Sequence, residues 1–285
     1  MNIGSFKILA TLGSGAHSTI LQIRRNNDPR NYALKVVNIE DPEEDMKFKD
    51  QAEHEFEVLQ KLDHANIIKA YAFELIKDWL FRVKKVHLMV EFIPGKTLDV
   101  VKGLTTAKTL QVFRKVAMGM VHMHRREVCH GDLKPNNIML APGGIVKIID
   151  FGLARCAGQA KNRIQGTPEY IAPETVKLQQ VTERSDIYNF GATMYRMFTW
   201  KLPPPVISGD SGGAIDPKIW QKHFKPVCEL NPAAPVRLGK LIETCMNYNA
   251  MQRPERFGEI LSELEEISAE LGSDPTDTLE NMETV

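Results

Sequence analysis

The sequence predicts an α+β chain of two lobes: a small antiparallel β-sheet lobe with one main helix, then a larger, mainly helical lobe. Three observations predict it. The first third is built of short β-forming segments separated by Gly-containing or Asn-Asn-Asp-Pro turns. One segment inside that third changes to a helical period. Ile93-Pro94-Gly95 then interrupts the pattern, and beyond it apolar residues recur mostly at helical spacing.

In chain order, Phe6 to Leu12, Ile20 to Arg24 and Tyr32 to Ile39 read as strands, rich in β-branched and aromatic residues. From Asp41 to Leu62 the residues Phe48, Ala52, Phe56 and Leu59 fall on one face of an amphipathic helix. Ile67 to Leu75 and Val83 to Ile93 return to strand character. After the hinge, Leu110, Phe113, Ala117, Met120 and Met123 mark one face of a long helix. Ser185 or Asp186 is expected to cap a second helix that runs to about Phe198 and ends at Leu202-Pro203-Pro204-Pro205. Further helices fit Pro217 to Phe224, Val236 to Met246 and Arg256 to Leu271. The expected domain is 1–271, divided at about 93/94. Residues 272–285 are acidic and polar with an internal Pro, and are expected to be a disordered tail.

The 285 residues are 43 % apolar and 25 % charged, which suits a globular chain that buries a core without disulfide or metal staples. Lys plus Arg and Asp plus Glu both number 36, so no overall basic field points to nucleic acid. Cys129, Cys156, Cys228 and Cys245 have no metal-binding spacing, and a reduced, cytoplasmic chain is expected. No secretory leader or membrane-spanning run is visible.

The chemistry is concentrated in Cys129-His130-Gly131-Asp132-Leu133-Lys134-Pro135-Asn136-Asn137 and in Asp150-Phe151-Gly152. Within about twenty positions these supply a carboxylate, a lysine, an amide and a second carboxylate. That set suits a hydroxyl attacking a metal-bound triphosphate. Gly13-Ser14-Gly15 lies between two strands, where the absence of a Cβ lets backbone approach phosphate. Lys35 follows one strand later.

With Gly166-Thr167-Pro168-Glu169-Tyr170-Ile171-Ala172-Pro173-Glu174 added, the chain resembles the eukaryotic-type Ser/Thr protein kinases from about Phe6 to about Ile267. The resemblance implies transfer of the γ-phosphate of ATP, with Mg²⁺ (Mn²⁺ as the alternative ion), to Ser/Thr hydroxyls of protein substrates, autophosphorylation included. It implies Asp132 as catalytic base, Lys134 facing the γ-phosphate, and Thr167 hydrogen-bonding near both. It implies Asn137 and Asp150 as metal ligands. Lys35 would clamp the α- and β-phosphates, paired with Glu55, which stands nine residues before His64-Ala65-Asn66-Ile67 as the family places it. Glu44, Glu53 and Glu57 are the competing acids, and the last two fall on other helix faces. Leu12, Gly13, Ser14 and Gly15 would cover the nucleotide. Ile20 and Ala33 would lie above adenine and Met139 below, with hinge contacts from Glu91, Phe92 and Ile93 and a gate at Val90. Glu174 is expected to pair with Arg253, Asp186 to brace the catalytic loop, and His130 to pack on Phe151.

This chain departs from the family pattern at three places. Ser18 stands where a third Gly is usual. Gly131 stands where regulated members carry an Arg, and no Ser, Thr or Tyr lies between Asp150 and Gly166. Both halves of a phosphate switch are absent, which implies activity without phosphorylation of that segment. Compact bacterial kinases of eukaryotic type are the branch it resembles. Two alternatives remain. Small-molecule phosphotransferases of the same fold share His-Gly-Asp but lack the 166–174 segment. Inactive scaffolds of this shape lose Lys35, Asp132 or Asp150 equivalents, all present here. Cys156 beside Arg155, and Ser273, Thr276, Thr278 and Thr284 in the tail, are candidate modification sites.

Overall fold

The computed structural model describes residues 3–15, 17–41, 43–156, 166–207, 213–272 and 278–280. Its contacts divide the chain into two compact units, one of 1–94 with 150–152 and one of 95–149 with 153–285.

The first unit is a five-stranded antiparallel sheet in the order β1-β2-β3-β5-β4. Its strands are β1 (Phe6–Ser14), β2 (Ser18–Arg25), β3 (Asn31–Asn38), β4 (Ala70–Lys77) and β5 (Val83–Glu91), with helix α1 (Met46–Leu59) between β3 and β4. The sheet is covered unevenly. Ile3, Ile23, Tyr32, Leu34, Val36, Ala72 and Met89 form one core, and Val37, Ile39, Val86 and Ala52 of α1 form another. Strand β4 starts later than the β-forming run suggests. Ile67 N–H turns back to the His64 carbonyl at 3.1 Å, and the register with β5 begins at Ala70. Helix α1 also starts later than Asp41. The Asp45 carboxylate accepts the N–H groups of Glu40 and Asp41 at 2.9 and 3.0 Å, which holds that stretch back from the helix that begins at Met46.

The second unit carries short strands β6 (Lys96–Thr97), β7 (Val128–Cys129), β8 (Ile138–Ala141), β9 (Ile145–Ile148) and β10 (Arg155–Cys156). Sheet β6-β8-β9 and the pair β10-β7 frame the catalytic candidates. Its helices are α2 (Thr106–His124), α3 (Pro173–Leu178), α4 (Glu183–Thr199), α5 (Pro217–His223), α6 (Val227–Leu230), α7 (Val236–Cys245) and α8 (Phe257–Glu270). The α2 residues Leu110, Phe113, Ala117, Met120 and Met123 are all buried. Phe190 of α4 stands edge-on to Phe113 at 5.4 Å and to Phe257 of α8 at 5.2 Å, joining three helices in one aromatic core. Gly95 belongs at the start of this unit because an added Cβ would lie 2.2 Å from the Leu140 carbonyl oxygen.

Three sequence expectations are corrected here. Helix α4 is capped by Thr182, not by Ser185 or Asp186. Thr182 Oγ1 accepts Ser185 N–H at 3.3 Å, Ser185 Oγ accepts Thr182 N–H at 3.2 Å, and Asp186 lies inside the first turn. Asp150–Gly152 group with the first unit, not with the residues beyond 94 that surround them in sequence. The expectation of disorder does not hold for the described residues 278–280. Thr278–Glu280 pack on α2, where Leu279 is 0 % exposed, its N–H reaches Gln111 Oε1 at 2.9 Å, and Glu280 pairs with Lys115 at 2.9 Å. One apolar side chain in an acidic run supplies the anchor.

Candidate active site

In the first unit, Lys35 projects from β3 and Glu55 from the buried face of α1. Lys35 Nζ meets Glu55 Oε2 at 2.6 Å. Burial opposes the ammonium, but the charges of Glu55 and Asp150 and the hydrogen bond to Glu55 outweigh it. The Lys35 pKa is therefore held above the ordinary lysine value. The other oxygen of Glu55, Oε1, accepts the N–H of Phe151 at 3.4 Å, so one carboxylate ties β3 to the Asp150-Phe151-Gly152 turn. Asp150 takes a left-handed conformation at φ 63° and accepts Gly152 N–H at 3.4 Å. Glu53 instead pairs with Lys49 at 2.7 Å, and Glu57 is exposed.

Lys35 and Asp150 open into a cavity of about 260 Å³ shared with His17, Ser18, Val37, Phe48, Gln51 and Ala52. The His17 ring stacks on Phe48 at 4.1 Å and its Nδ1 lies 3.7 Å from Asp45, which fastens the β1–β2 turn to the start of α1. Neither Phe48 nor Asp45 is singled out by the sequence as part of this site. An aromatic and an acid opposite a glycine turn give no motif. An added Cβ on Gly13 would meet nothing within 4 Å, so backbone there faces open space. Leu12 and Ile20 are exposed, Ala33 is buried and pairs with Val90, and Phe92 and Ile93 follow β5. Glu91 N–H donates to the Lys69 carbonyl at 2.8 Å, which commits that donor within the fold.

In the second unit, four candidates converge. Asp132 Oδ2 accepts from Lys134 Nζ at 2.7 Å. Lys134 Nζ also donates to Thr167 Oγ1 at 2.6 Å. Thr167 in turn gives its N–H and hydroxyl to Asp132 Oδ1 at 2.9 and 3.0 Å. Asn137 Nδ2 donates to the Asp132 carbonyl at 2.8 Å, and Met139 follows on β8. Both carboxylate oxygens of Asp132 are thus oriented by named donors.

A buried brace holds this loop. Asp186 accepts His130 N–H and Gly131 N–H, each at 2.8 Å, and meets His124 Nε2 at 2.9 Å. His124 is a participant the sequence reading missed, because it sits on α2 with nothing around it to distinguish it from a core histidine. With Cys129 and Asp186 it forms a group of donor atoms within 4.8 Å of one another, but both Asp186 oxygens are already engaged. His130 Nε2 meets the Ile149 carbonyl at 3.2 Å, and its Nδ1 accepts Asp132 N–H at 3.3 Å, which assigns one tautomer. Gly131 has φ 75°, and an added Cβ would lie 3.2 Å from the Leu153 carbonyl. Glu174 and Arg253 form a bidentate pair at 2.8 and 2.9 Å, with the Arg253 side chain 0 % exposed. The 157–165 segment and the Cys156 side chain lie outside the described residues, as do Ser273, Thr276 and Thr284.

The family model described as "Protein kinase domain" matches residues 6–263. A probable serine/threonine-protein kinase of Clostridium acetobutylicum is 29 % identical over 92 % of this chain and 40 % of its own length. A serine/threonine-protein kinase of Arabidopsis thaliana is 30 % identical over 94 % of this chain and 55 % of its own. The serine/threonine-protein kinase PknJ of Mycobacterium tuberculosis is 28 % identical over 89 % and 44 %. The chain therefore spans roughly two-fifths to just over half the length of these curated relatives. No helix among the described residues is long and apolar enough to cross a membrane. The chain belongs to the protein kinase domain family.

Proposed function

We propose that this chain transfers the γ-phosphate of ATP to serine and threonine hydroxyls of protein substrates. The observation that carries the reading is the closed triangle of Asp132, Lys134 and Thr167, held at 2.6 to 3.0 Å. Asp132 offers a carboxylate oriented to accept the hydroxyl proton as attack proceeds. Lys134 neutralises charge beside it, and the Thr167 hydroxyl fixes the distance between the two. Lys35, kept cationic by Glu55, supplies the phosphate clamp. The relatives' printed names support Ser/Thr as the acceptor.

Asn137 and Asp150 are proposed as metal ligands, because an amide oxygen and a carboxylate are hard donors suited to Mg²⁺ or Mn²⁺ and not to soft metals. Bound there, the ion would neutralise phosphate charge. Leu12 to Gly15, Ile20, Ala33, Met139 and the 91–93 hinge are proposed to hold the nucleotide. Free Cys228 and Cys245 thiols support a reducing compartment such as the cytoplasm.

Gly131 at φ 75°, in place of an Arg, supports activity without phosphorylation of the 151–166 segment. The test is labelled-phosphate transfer from Mg-ATP to a generic basic protein, using phosphatase-treated enzyme. Activity in that sample, lost in Asp132→Asn, supports the reading. Equal label with Asp132→Asn refutes it, and activity appearing only after segment phosphorylation refutes the independence.

A further inference from the structure

The β4–β5 hairpin ends in Trp79-Leu80-Phe81, and these apolar side chains stand out from the fold. Trp79 is 84 % exposed, Phe81 82 % and Leu80 47 %. Exposing two aromatic rings and a leucine on one turn is unfavourable in water, and contiguous exposed apolar surface marks an interaction site. The turn closes the sheet-edge hairpin of β4 and β5, at the opposite end of β5 from Val90 and Glu91.

The chemistry around the tip specifies the partner. Lys77, Arg82, Lys84 and Lys85 flank the three apolar residues, against the single carboxylate of Asp78. Lys84 and Lys85 are exposed, and among the described residues Lys77, Lys84 and Lys85 make no ion pair. Asp78 offsets Arg82 but not the three lysines, because it is engaged by Arg82 and the turn backbone. Its Oδ1 accepts Leu80 N–H at 2.8 Å and Arg82 N–H at 3.0 Å, and its Oδ2 accepts Arg82 Nε at 2.9 Å. Burial works against this carboxylate, but the Arg82 and Leu80 contacts outweigh it and hold its pKa below the ordinary value.

The backbone of the tip is also prepared for a dry environment. Asp78 N–H donates to the Arg82 carbonyl at 2.9 Å and Phe81 N–H to the Asp78 carbonyl at 3.0 Å. With Leu80 and Arg82 N–H on Asp78, four of the five N–H groups from Asp78 to Arg82 are satisfied within the turn. Backbone donors that enter lipid unsatisfied are costly, and these are not. Phe81 accepts a left-handed φ of 61°, uncommon for a bulky residue, in closing the turn.

We propose that this tip docks on the surface of an anionic phospholipid bilayer. Trp79 and Phe81 would enter the interfacial layer, where aromatic rings are favoured, while Lys77, Lys84 and Lys85 meet the lipid phosphates. A convex tip with a basic collar suits a fluid surface that deforms around it; a protein partner would need a pocket of matching shape. Two weak signals, apolar insertion and basic attraction, together give stable but reversible anchoring. The proposal does not depend on the phosphoryl-transfer reading.

The full chain is sedimented with phosphatidylcholine vesicles and with vesicles of phosphatidylcholine mixed with phosphatidylglycerol. Binding to the anionic mixture, weakened by salt and accompanied by protection of Trp79 from an aqueous fluorescence quencher, is the expected result. The paired substitution Lys84→Gln/Lys85→Gln should weaken partitioning ~30-fold, about fivefold for each cation. Trp79→Ser/Phe81→Ser should weaken it about a hundredfold. Both pairs should keep the wild-type unfolding transition and activity on a soluble substrate. Failure to bind either vesicle overturns the proposal in favour of a protein partner. Equal binding to both mixtures, or unchanged binding by Trp79→Ser/Phe81→Ser, overturns it as well.

Discussion

Replacing Thr167 with Val isolates the geometry at the centre of the proposed reaction. The substitution keeps the backbone N–H that donates to Asp132 Oδ1 at 2.9 Å and keeps the Lys134–Asp132 pair at 2.7 Å. It removes the hydroxyl that accepts from Lys134 at 2.6 Å and donates to Asp132 at 3.0 Å. Hydrogen bonds to charged groups contribute about 1.5–3 kcal/mol each. With the direct Lys134–Asp132 contact intact, the net loss of positioning is about 2–3 kcal/mol. If that loss falls on the transition state, kcat drops ~30- to 150-fold. Steady-state kinetics with ATP and a protein substrate should show the fall in kcat with KM for ATP little changed, and Thr167→Ser should recover most of it. An unchanged kcat, or a rise in KM for ATP alone, would refute the view that the hydroxyl aligns Lys134 with Asp132.

Three further perturbations follow from the geometry. Arg253→Met leaves Glu174 without its bidentate partner in the interior, and chemical denaturation should show a loss of about 3–5 kcal/mol. Because the folded Lys35 pKa is raised, its contribution to stability is fully present below the ordinary lysine value of 10.5 and is lost only as pH rises through the higher folded value. The stability difference between wild type and Lys35→Met should therefore stay constant through neutral pH and shrink only in strong alkali; a decline at neutral pH would contradict the pairing with Glu55. Leu279→Ala should cost about 2 kcal/mol in thermal or chemical unfolding, and a silent substitution would show that Thr278–Glu280 do not anchor on α2.

The contiguous part of the site was the legible part. Asp132, Lys134 and Asn137 are separated by two and five positions, so one loop carries all three, and the family resemblance supplied the roles expected of them. Glu55 was marked out by the family's spacing to the His64 turn, and the structure sets it on Lys35 while Glu53 turns to Lys49. The brace was half legible. Asp186 stands in a readable run, but His124 reaches it from 62 positions away, and nothing local marks that imidazole. The α4 cap was misread because Ser185 and Thr182 share one capping box, and a sequence does not say which hydroxyl sits outside the helix. Four-residue α6 carries too few apolar positions to show a period. Leu279 escaped notice because the acidic composition of its neighbours outweighs one apolar residue in any window average.

The central claim is phosphoryl transfer to protein hydroxyls through Asp132, and phosphoamino-acid analysis of the labelled product tests it most directly. After incubation of the chain with γ-labelled Mg-ATP and a protein acceptor, label should appear on phosphoserine and phosphothreonine with wild type and vanish with Asp132→Asn. Label confined to phosphotyrosine or to a small molecule, or label undiminished in Asp132→Asn, would contradict the account.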